Sequence, residues 1–430
     1  MKVLLISHTV LSKTGNMGKT LRGYLMDYTP DEVAQFYIHS EVPTDNSICR
    51  NYFRFTDIDA IKSILPIKGR GSILSKNEIE VGRASTRIDE GVIGEVYQLG
   101  RKRTGLIYIL RNTLWKLGHW KTRKLKEWLN GANPDVVLFA SGDYAFMYDI
   151  ARWVSAYLKK PLVVSCVDDY YLNNANAGTF WGDLYQKLFM QSVYDTMKKA
   201  SCIFTICDTM QAEYAKLFNK RCHTLYTSAE NIKLSLNKDA TQISYIGNLD
   251  FDRYKQLIEL GKVLHSLGKH IDIYSAEKGS EVLSELERAP GIVFRGAVSS
   301  EEVLKVMGNS VAVIHTESFE PKIQEKIRFS VSTKIAESLM YGPCLIAYGP
   351  EGIASIDYLK ENDAAYVITR PEDLEKGLKE ILTNRDMREH IIKNARALAA
   401  KNHNAEVNPK RVRMWLQQAV DNSKVKPNGE

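Results

Sequence analysis

The chain has 430 residues, of which 44% are hydrophobic and 25% charged, and its formal net charge is +7. These proportions are ordinary for a globular protein, and the length exceeds what one hydrophobic core usually supports, so two domains are predicted. No apolar run approaches the roughly 20 residues that a membrane-spanning helix needs, and the first residues lack a secretory signal pattern. A cytoplasmic protein is therefore predicted.

The N-terminal half alternates short apolar runs, typical of buried parallel strands, with stretches of helical periodicity. The predicted strands cover residues 2–8, 33–39, 135–141, 161–167, 202–207 and 222–227. This alternation is the pattern of a parallel sheet that carries helices on both faces.

A polar stretch at residues 228–241 interrupts the alternation, and we predict the interdomain linker there. Strands then recur at residues 242–247, 271–275, 292–296, 311–316, 344–348 and 365–369. The expected architecture is α/β, with two Rossmann-like doubly wound domains over residues 1–227 and 242–400 and a C-terminal helix with a frayed tail over 401–430. Ligands bind outside the carboxyl ends of such strands, so we expect a cleft site between two facing domains.

Five of the six cysteines lie in or beside apolar runs, and none of these five has the paired spacing of a zinc site. They are Cys166, Cys202, Cys207, Cys222 and Cys344. We expect buried thiols rather than metal ligands or disulfides.

The segment from Ser332 to Gly342 predicts a helix with a ligand-binding start. Ser332 or Thr333 is a good N-cap, and free backbone N–H groups at a helix start favour an anion, to which Lys334 adds a charge. Glu337, one turn further on, could accept hydrogen bonds from the vicinal hydroxyls of a ribose. A capped surface helix with an ordinary Lys and Glu is the alternative.

This segment, together with the apolar strand that follows Gly342 and runs into Tyr348, resembles the donor-binding region of GT-B glycosyltransferases. The closest resemblance is to the retaining group called glycosyltransferase family four. The resemblance implies a hexosyltransferase-like enzyme that uses a nucleotide-sugar donor, and it implies that Glu337 holds the donor ribose.

The family usually has two Glu separated by seven residues, and the first opens a Glu-Ser-Phe-Gly stretch. Here Glu317 opens Glu-Ser-Phe but stands twenty positions before Glu337, and Phe329 occupies the position that regular spacing gives to the first Glu. Either Glu317 reaches the donor across a longer loop, or the function of the first Glu is absent.

Residues 243–249, followed by Arg253, resemble the first strand and turn of the family's C-terminal domain, where a basic residue contacts the donor diphosphate. Gly247 allows close backbone approach, Asn248 lies in the same turn, and the Arg253 guanidinium suits phosphate oxygens. Arg253 and Lys334 are therefore candidates for neutralising the diphosphate, and we expect neither a metal nor another cofactor.

In the N-terminal half, Gly15 and Gly18 lie where enzymes of the resembled family place a glycine-containing loop, and the resemblance implies that this loop approaches the donor phosphate or sugar. The Gly18-Lys19-Thr20 run does not continue a phosphate-binding loop of the Walker A type, because Lys13 stands where the first Gly is needed.

Asp168 and Asp169 follow a predicted strand, and one of them could deprotonate or orient the acceptor hydroxyl. Metal ligation and an ordinary capping pair are the alternatives. His8, at the end of the first predicted strand, is a further candidate of the same kind.

Residues 101–126 contain nine Lys or Arg and no Asp or Glu. They also carry a leucine stripe at helical spacing and nearby tryptophans: Leu106, Leu110, Leu114, Leu117, Trp115, Trp120 and Trp128. This combination favours a helix that rests on anionic lipid, with Lys121, Arg123, Lys124 and Lys126 toward the membrane. A helix packed on the sheet with a solvated basic face is an equal alternative. Nucleic-acid binding lacks a recognition motif and is not expected.

The function predicted from these features is transfer of a sugar from a nucleoside-diphosphate sugar to the hydroxyl of a glycan or lipid-linked acceptor. Cell-surface polysaccharide or glycolipid synthesis is the expected context, with peripheral attachment to the inner face of the cell membrane. A nucleotide-sugar epimerase on the same fold and a non-catalytic nucleotide-sugar-binding subunit are the alternatives.

Overall fold

The computed structural model describes residues 1–13, 16–64, 71–74, 79, 104–173 and 178–425. The chain divides into two compact units. Unit 1 comprises Met1–Leu225 and Glu406–Glu430, and unit 2 comprises Tyr226–Ala405.

Unit 1 is built on an eight-stranded sheet in the order β4-β3-β2-β1-β5-β6-β7-β8. Its strands are β1 (Val3–Ser7), β2 (Val33–Tyr37), β3 (Asn51–Arg54), β4 (Ser72–Leu74), β5 (Val136–Ala140), β6 (Leu162–Ser165), β7 (Cys202–Thr205) and β8 (Cys222–Thr224). All neighbouring strands pair in parallel except β3 and β4, which pair antiparallel. Every residue of β1, β2, β5, β6 and β7 is buried, as the continuous apolar runs predict.

The helices of unit 1 connect and cover these strands. They are α1 (Asn16–Tyr24), α2 (Asp57–Ile64), α3 (Gly105–Leu117), α4 (Arg123–Ala132), α5 (Ala145–Leu158), α6 (Phe180–Lys199), α7 (Asp208–Phe218) and, from the C-terminus, α16 (Asn408–Val425).

Unit 2 is built on a six-stranded parallel sheet in the order β11-β10-β9-β12-β13-β14. Its strands are β9 (Gln242–Ile246), β10 (Ile271–Tyr274), β11 (Ile292–Gly296), β12 (Ser310–Thr316), β13 (Cys344–Tyr348) and β14 (Tyr366–Ile368). Its helices are α8 (Arg253–Ser266), α9 (Ser280–Arg288), α10 (Ser300–Gly308), α11 (Pro321–Ile327), α12 (Thr333–Tyr341), α13 (Ala354–Glu361), α14 (Leu374–Thr383) and α15 (Arg385–Asn402).

The two parallel sheets with flanking helices confirm the predicted fold class. All six cysteines are buried and free. Two strands and two helices that the sequence reading did not place are β3, β4, α2 and α11, which are short or lie in polar sequence.

The observed units do not follow the predicted domain bounds. Residues 226–241, taken as a linker, belong to unit 2, and residues from Glu406 onward return to unit 1. The return has a hydrophobic cause, because Val412, Leu416 and Val420 of α16 are buried in the core of unit 1. Helical periodicity showed that this helix has an apolar face but not which sheet that face covers.

Each sheet reverses its strand order once. In unit 1 the reversal lies between β1 and β5, and in unit 2 it lies between β9 and β12. Connections leave such a pair of strands in opposite directions, so a crevice opens at their carboxyl ends, where doubly wound sheets bind ligands. These two edges are where functional side chains are expected.

Candidate active site

At the reversal point of unit 2, Arg253 and Glu317 form a buried two-pronged ion pair. Arg253 is the first residue of α8, and Glu317 follows β12 directly. The guanidinium donates from Nε to Glu317 Oε2 at 3.0 Å and from a terminal nitrogen to Oε1 at 3.1 Å. The side chain of Arg253 is 11% exposed and that of Glu317 is 0% exposed. Two residues that the sequence singled out separately therefore act as one group.

His315 and Ser355 complete the surroundings of the Glu317 carboxylate. His315 Nε2 lies 3.4 Å from Glu317 Oε1 and 3.1 Å from Ser355 Oγ, and Ser355 donates toward Glu317 Oε1 at 3.5 Å. Burial and the neighbouring Arg253 charge lower the pKa of His315 to about 3, so the imidazole is neutral. Burial raises the pKa of Glu317, and the Arg253 charge opposes that rise. Because Arg253 donates to both Glu317 oxygens, we assign the carboxylate form to Glu317, with Arg253 as its counterion.

The turn between β9 and α8 places Arg253 under backbone constraint. Gly247 donates its N–H to the Tyr274 carbonyl at 3.1 Å, and the Tyr245 hydroxyl donates to the Asn248 carbonyl. Phe251 and Asp252 have φ angles of 59° and 58°, a left-handed conformation that is costly for residues with a side chain. Asn248 Oδ1 accepts a hydrogen bond from Arg253 at 2.7 Å. Gly247 and Asn248 therefore belong to the turn that holds the guanidinium in place.

The start of α12 has the predicted cap. Ser332 Oγ accepts from the Lys334 N–H at 3.3 Å, and Thr333 is the first helical residue. Lys334 Nζ donates to Glu337 Oε2 at 2.9 Å across one helical turn. Both side chains keep contact with solvent, at 41% and 22% exposure. The helix start thus presents backbone N–H groups, a cation and a carboxylate together.

The irregular spacing between Glu317 and Glu337 has a structural cause. An additional short helix, α11 (Pro321–Ile327), lies between the end of β12 and the start of α12. Phe329 is buried beyond it, so the position that regular spacing gives to an acid belongs to the hydrophobic core. Glu317 itself keeps its place at the carboxyl end of β12.

In unit 1, Asp168 and Asp169 follow β6 but have different surroundings. Asp169 is buried, and its Oδ1 accepts from the Tyr171 and Leu172 N–H groups and from the Tyr214 hydroxyl at 2.7 Å. Asp168 retains solvent exposure, and its Oδ1 accepts the Asp169 N–H at 2.8 Å. Desolvation by surrounding protein, together with the Asp169 charge, raises the pKa of Asp168 to about 6. Asp169 stabilises the turn, and Asp168 is the carboxylate suited to proton transfer.

The reversal point of unit 1 contains a cationic and aromatic cluster, of which the sequence analysis named only His8 as a candidate site residue. A terminal nitrogen of Arg111 lies 3.4 Å from His8 Nε2, and its guanidinium lies 4.0 Å from the centre of the Tyr144 ring. Asp57 pairs with Arg111 Nε at 3.0 Å and also accepts from Trp115 Nε1 at 2.7 Å. Arg111 was counted within the basic segment, but its contacts direct it into unit 1 rather than toward a membrane.

Gly18 has a packing function within α1. A Cβ atom there would lie 2.4 Å from the Val10 carbonyl oxygen, so only glycine permits this approach. Gly15 lies outside the described residues. The prediction that these two glycines contact a donor therefore stays a prediction for Gly15 and, for Gly18, competes with a clear structural reason.

The basic segment does not form the single amphipathic helix that was expected. It contains α3 and α4, and Trp115, Trp120 and Trp128 are buried rather than placed among the charges at the surface. Arg123 forms a surface pair with Glu127 at 2.7 Å one turn along α4, with 92% of its side chain exposed, and Lys124 donates to the Gly71 carbonyl at 3.0 Å.

Lys121 Nζ lies 5.3 Å from the centre of the Trp120 ring, and Lys126 is partly exposed. Arg101, Lys102 and Arg103 lie outside the described residues. The tryptophan placement was wrong because three large indoles bury more apolar area against the sheet than any surface position allows.

A cavity of about 730 Å³ lies elsewhere in unit 2, at the β14 edge of the sheet. Its charged lining is largely paired within itself, as Lys360 with Glu351 and Arg370 with Asp373. The reversal point, with its oriented guanidinium, is a better candidate for the donor site than this cavity.

Comparisons with known proteins agree with this geometry. Residues 256–413 match a protein-family model described as Glycosyl transferase-like. No curated protein sequence matches the chain. Among solved structures, Anabaena HepE in complex with UDP is similar over 97% of this chain and 100% of its own, at 11% identity and a TM-score of 0.63.

The solved structures of two synthases are also similar to this chain over nearly its full length. Sucrose-phosphate synthase from Thermosynechococcus elongatus covers 98% of this chain and 100% of its own, at 10% identity and a TM-score of 0.59. The UDP-forming α,α-trehalose-phosphate synthase from Burkholderia xenovorans covers 97% and 100%, at 10% identity and a TM-score of 0.58. Residues 256–413 are thus similar to a glycosyltransferase-like family, and the whole chain shares the GT-B fold of these structures, as predicted. Membership of family four stays a prediction.

Proposed function

We propose that this protein transfers a sugar from a nucleoside-diphosphate sugar to an acceptor hydroxyl, and that the carboxyl edge of the unit 2 sheet binds the donor. The observation that carries the proposal is the Arg253–Glu317 fork at the β9–β12 reversal point. A buried carboxylate that orients a guanidinium at a ligand-binding crevice pre-organises it for an anion. Solved structures of HepE contain UDP and UDP-glucose, which supports the same donor class here.

In the proposed donor complex, the diphosphate lies against Arg253 and the N-terminus of α12. Lys334 contributes a second cation, and Ser332 and Thr333 shape the helix start that carries the free N–H groups. Glu337 accepts hydrogen bonds from the ribose hydroxyls. Gly247 and Asn248 maintain the turn, and the buried Glu317 positions Arg253.

The proposed reaction forms one bond and breaks one. The acceptor oxygen attacks the anomeric carbon, the bond from that carbon to the diphosphate oxygen breaks, and the nucleoside diphosphate leaves. Arg253 and Lys334 stabilise the negative charge that develops on the leaving group. Asp168 is the candidate that accepts the acceptor's hydroxyl proton, because its raised pKa lies near neutral pH.

The finer assignments extend the same proposal. The acceptor is a glycan or a lipid-linked molecule of cell-surface polysaccharide or glycolipid synthesis, reached by a cytoplasmic enzyme at the inner face of the cell membrane. Retention at the anomeric carbon is expected from the resemblance to family four, and in a single displacement it requires the acceptor oxygen to attack from the face that the diphosphate leaves. Proton NMR of the first product formed would show the anomeric configuration directly.

The test begins with a panel of nucleotide sugars measured by thermal shift and calorimetry, followed by detection of the released nucleoside diphosphate. One donor should bind tightly, and Arg253→Ala should weaken it and lower kcat at saturating donor. Arg385→Ala, which removes an exposed ion pair with Glu389 elsewhere in unit 2, is the matched control and should change neither quantity. Failure of every nucleotide sugar to bind would contradict the proposal.

Two other outcomes would assign a different function. Conversion of the free donor to a second nucleotide sugar without any acceptor would identify an epimerase. Tight donor binding without turnover, with a range of glycan and lipid-linked acceptors present, would identify a binding subunit.

A further inference from the structure

Helix α3 exposes leucine on the side that faces away from the sheet. Its inner face is formed by Tyr108 and Trp115, both buried. Its outer stripe contains Leu106, Leu110 and Leu117, of which Leu110 is 59% and Leu117 is 62% exposed. A helix on the surface of a water-soluble unit normally carries polar residues on its outer stripe, so these leucines need a partner.

Helix α6 continues this apolar surface. Its first turn exposes Phe180 and Trp181, at 74% and 45%, and the next turns expose Leu184 and Leu188. The inner face of α6 buries Tyr185 and Phe189. Exposed aromatic and aliphatic side chains therefore lie along one side of the first half of α6, as Leu106, Leu110 and Leu117 lie along one side of α3.

The two helices begin side by side, so their outer stripes are adjacent. A Cβ atom on Gly105, the first residue of α3, would lie 2.3 Å from the Gly182 nitrogen of α6. Further along, the Tyr108 ring stacks on the Tyr185 ring with centres 4.7 Å apart. The apolar surface of α3 and α6 is defined here as Leu106, Leu110, Leu117, Phe180, Trp181 and Leu184.

The charges beside this surface are mostly positive. Lys62 on α2, Lys116 on α3 and Lys187 on α6 are exposed. Among α2, α3 and residues 180–190 of α6, Asp57 and Asp59 are partly buried, and Asp183 is exposed and accepts the Gly178 N–H at 3.0 Å. A hydrophobic surface with a basic border matches the chemistry of a bilayer with anionic headgroups.

We propose that the apolar surface of α3 and α6 docks on an anionic lipid bilayer, with Phe180 and Trp181 entering the interface. No helix within the described ranges is long and apolar enough to cross a membrane, so this attachment is peripheral. A symmetric dimer through the same surface fits less well, because it would bring the lysine borders of two copies together. The proposal is independent of donor chemistry in unit 2.

The surface differs from the basic face that the sequence predicted. That prediction relied on charge, with Lys121, Arg123, Lys124 and Lys126 toward the lipid. In the structure α3 and α6 carry adjacent exposed apolar residues, whereas Lys124 on α4 donates to the Gly71 carbonyl and Arg123 forms an exposed pair with Glu127. Insertion of apolar side chains should therefore contribute more to membrane binding than charge attraction does. Binding to anionic vesicles should persist at a salt concentration that removes purely electrostatic attachment.

The experiment is co-sedimentation of the full chain with vesicles of phosphatidylcholine and with vesicles that also contain phosphatidylglycerol. The parent should bind the mixed vesicles, and Phe180→Ser/Trp181→Ser/Leu110→Ser should weaken partitioning by about tenfold or more, since each buried apolar side chain contributes to binding. All three positions are exposed, so the fold should be unchanged by circular dichroism. Leu217→Ser/Met414→Ser removes exposed apolar residues from α7 and α16 of the same unit and should bind as the parent does.

Three results would overturn the proposal. The first would be a parent protein that fails to bind mixed vesicles at low salt. The second would be a triple variant that binds as well as the parent, together with loss of binding in the variant Lys121→Glu/Arg123→Glu/Lys124→Glu/Lys126→Glu, which would make the basic face the contact. The third would be a parent dimer, detected by light scattering, that dissociates in the triple variant, which would show that a second copy covers the surface. Donor binding by the triple variant, measured by calorimetry, should equal that of the parent and keeps this test separate from the proposed function.

Discussion

The carboxyl edges of the two sheets use buried acids in the same way but present different chemistry. In unit 2 the buried Glu317 holds Arg253, and the groups left for a ligand are cations and N–H donors. In unit 1 the buried Asp169 holds a turn and Tyr214, and the group left exposed is the carboxyl of Asp168. In unit 2 the deeper acid orients the guanidinium beside it, and in unit 1 the deeper acid fixes the turn that carries Asp168.

This difference between the two sheet edges assigns donor binding to unit 2 and proton transfer to unit 1 in the proposed reaction. An edge with an oriented guanidinium and a helix start suits a diphosphate, because the donors are fixed before the anion arrives. An edge with a carboxyl of raised pKa suits a hydroxyl, because a carboxylate with a raised pKa is a stronger base. The following predictions test this division, from the largest expected effect to the smallest.

The largest effect is expected at Asp168. Asp168→Asn should lower kcat by about 10²- to 10⁴-fold, the usual contribution of a general base, while donor affinity in unit 2 stays unchanged. Because the pKa of Asp168 is about 6 and the base is the deprotonated form, kcat/KM of the parent should fall as pH decreases through 6 and level off above it. A pH profile that is flat between 5 and 8, or full activity in Asp168→Asn, would remove Asp168 from the chemistry.

The second effect concerns the stability of unit 2. Glu317→Ala leaves the buried Arg253 guanidinium without its counterion and should lower the free energy of unfolding by about 3–5 kcal/mol. The measurement is chemical denaturation, read from the transition of unit 2. Arg253→Met/Glu317→Leu, which removes both charges, should restore much of the loss. A cost below about 1 kcal/mol for Glu317→Ala would show that the pair is solvated like a surface ion pair.

The third effect separates binding from folding at α12. Glu337→Ala should weaken nucleoside-diphosphate binding by about 1–3 kcal/mol, the cost of losing charged hydrogen bonds to the ribose. Stability should be nearly unchanged, because Lys334 and Glu337 are partly exposed. Calorimetry with the nucleoside diphosphate and with pyrophosphate, which lacks the ribose, separates ribose contacts from phosphate contacts. Equal affinities in the parent and in a folded Glu337→Ala would contradict the ribose assignment.

The smallest effect is expected from metal removal. If Arg253 and Lys334 neutralise the diphosphate, activity should persist after dialysis against EDTA. Complete loss that is restored by a divalent cation would instead assign Asp168 and Asp169 to a metal site. Asp168→Asn assayed with and without added cation would then distinguish a ligand from a base.

Much of this architecture was predictable because local patterns carry it. The continuous apolar runs of β1, β5 and β13 identify buried parallel strands, and the serine before Thr333 identifies a helix start. The resemblance of residues 332–337 to a donor-binding helix also selected Lys334 and Glu337, which lie together.

Other features needed the tertiary structure. The sequence placed Arg253 and Glu317 on separate elements, and only the strand order, with β9 next to β12, brings them within 3.0 Å. Asp168 and Asp169 are the same residue type in adjacent positions, and only the Tyr214 hydroxyl and the turn N–H groups distinguish the buried one.

The amino-acid sequence by itself determined the alternation of strands and helices, the buried cysteines and the position of the α12 cap, because each depends on residues within a few positions of one another. The tertiary structure decided which charges pair, which sheet α16 covers, and whether Trp115 or Leu110 faces solvent. Those outcomes depend on contacts between residues far apart in the chain, and helical or strand periodicity describes only the face of an element, not what packs against it.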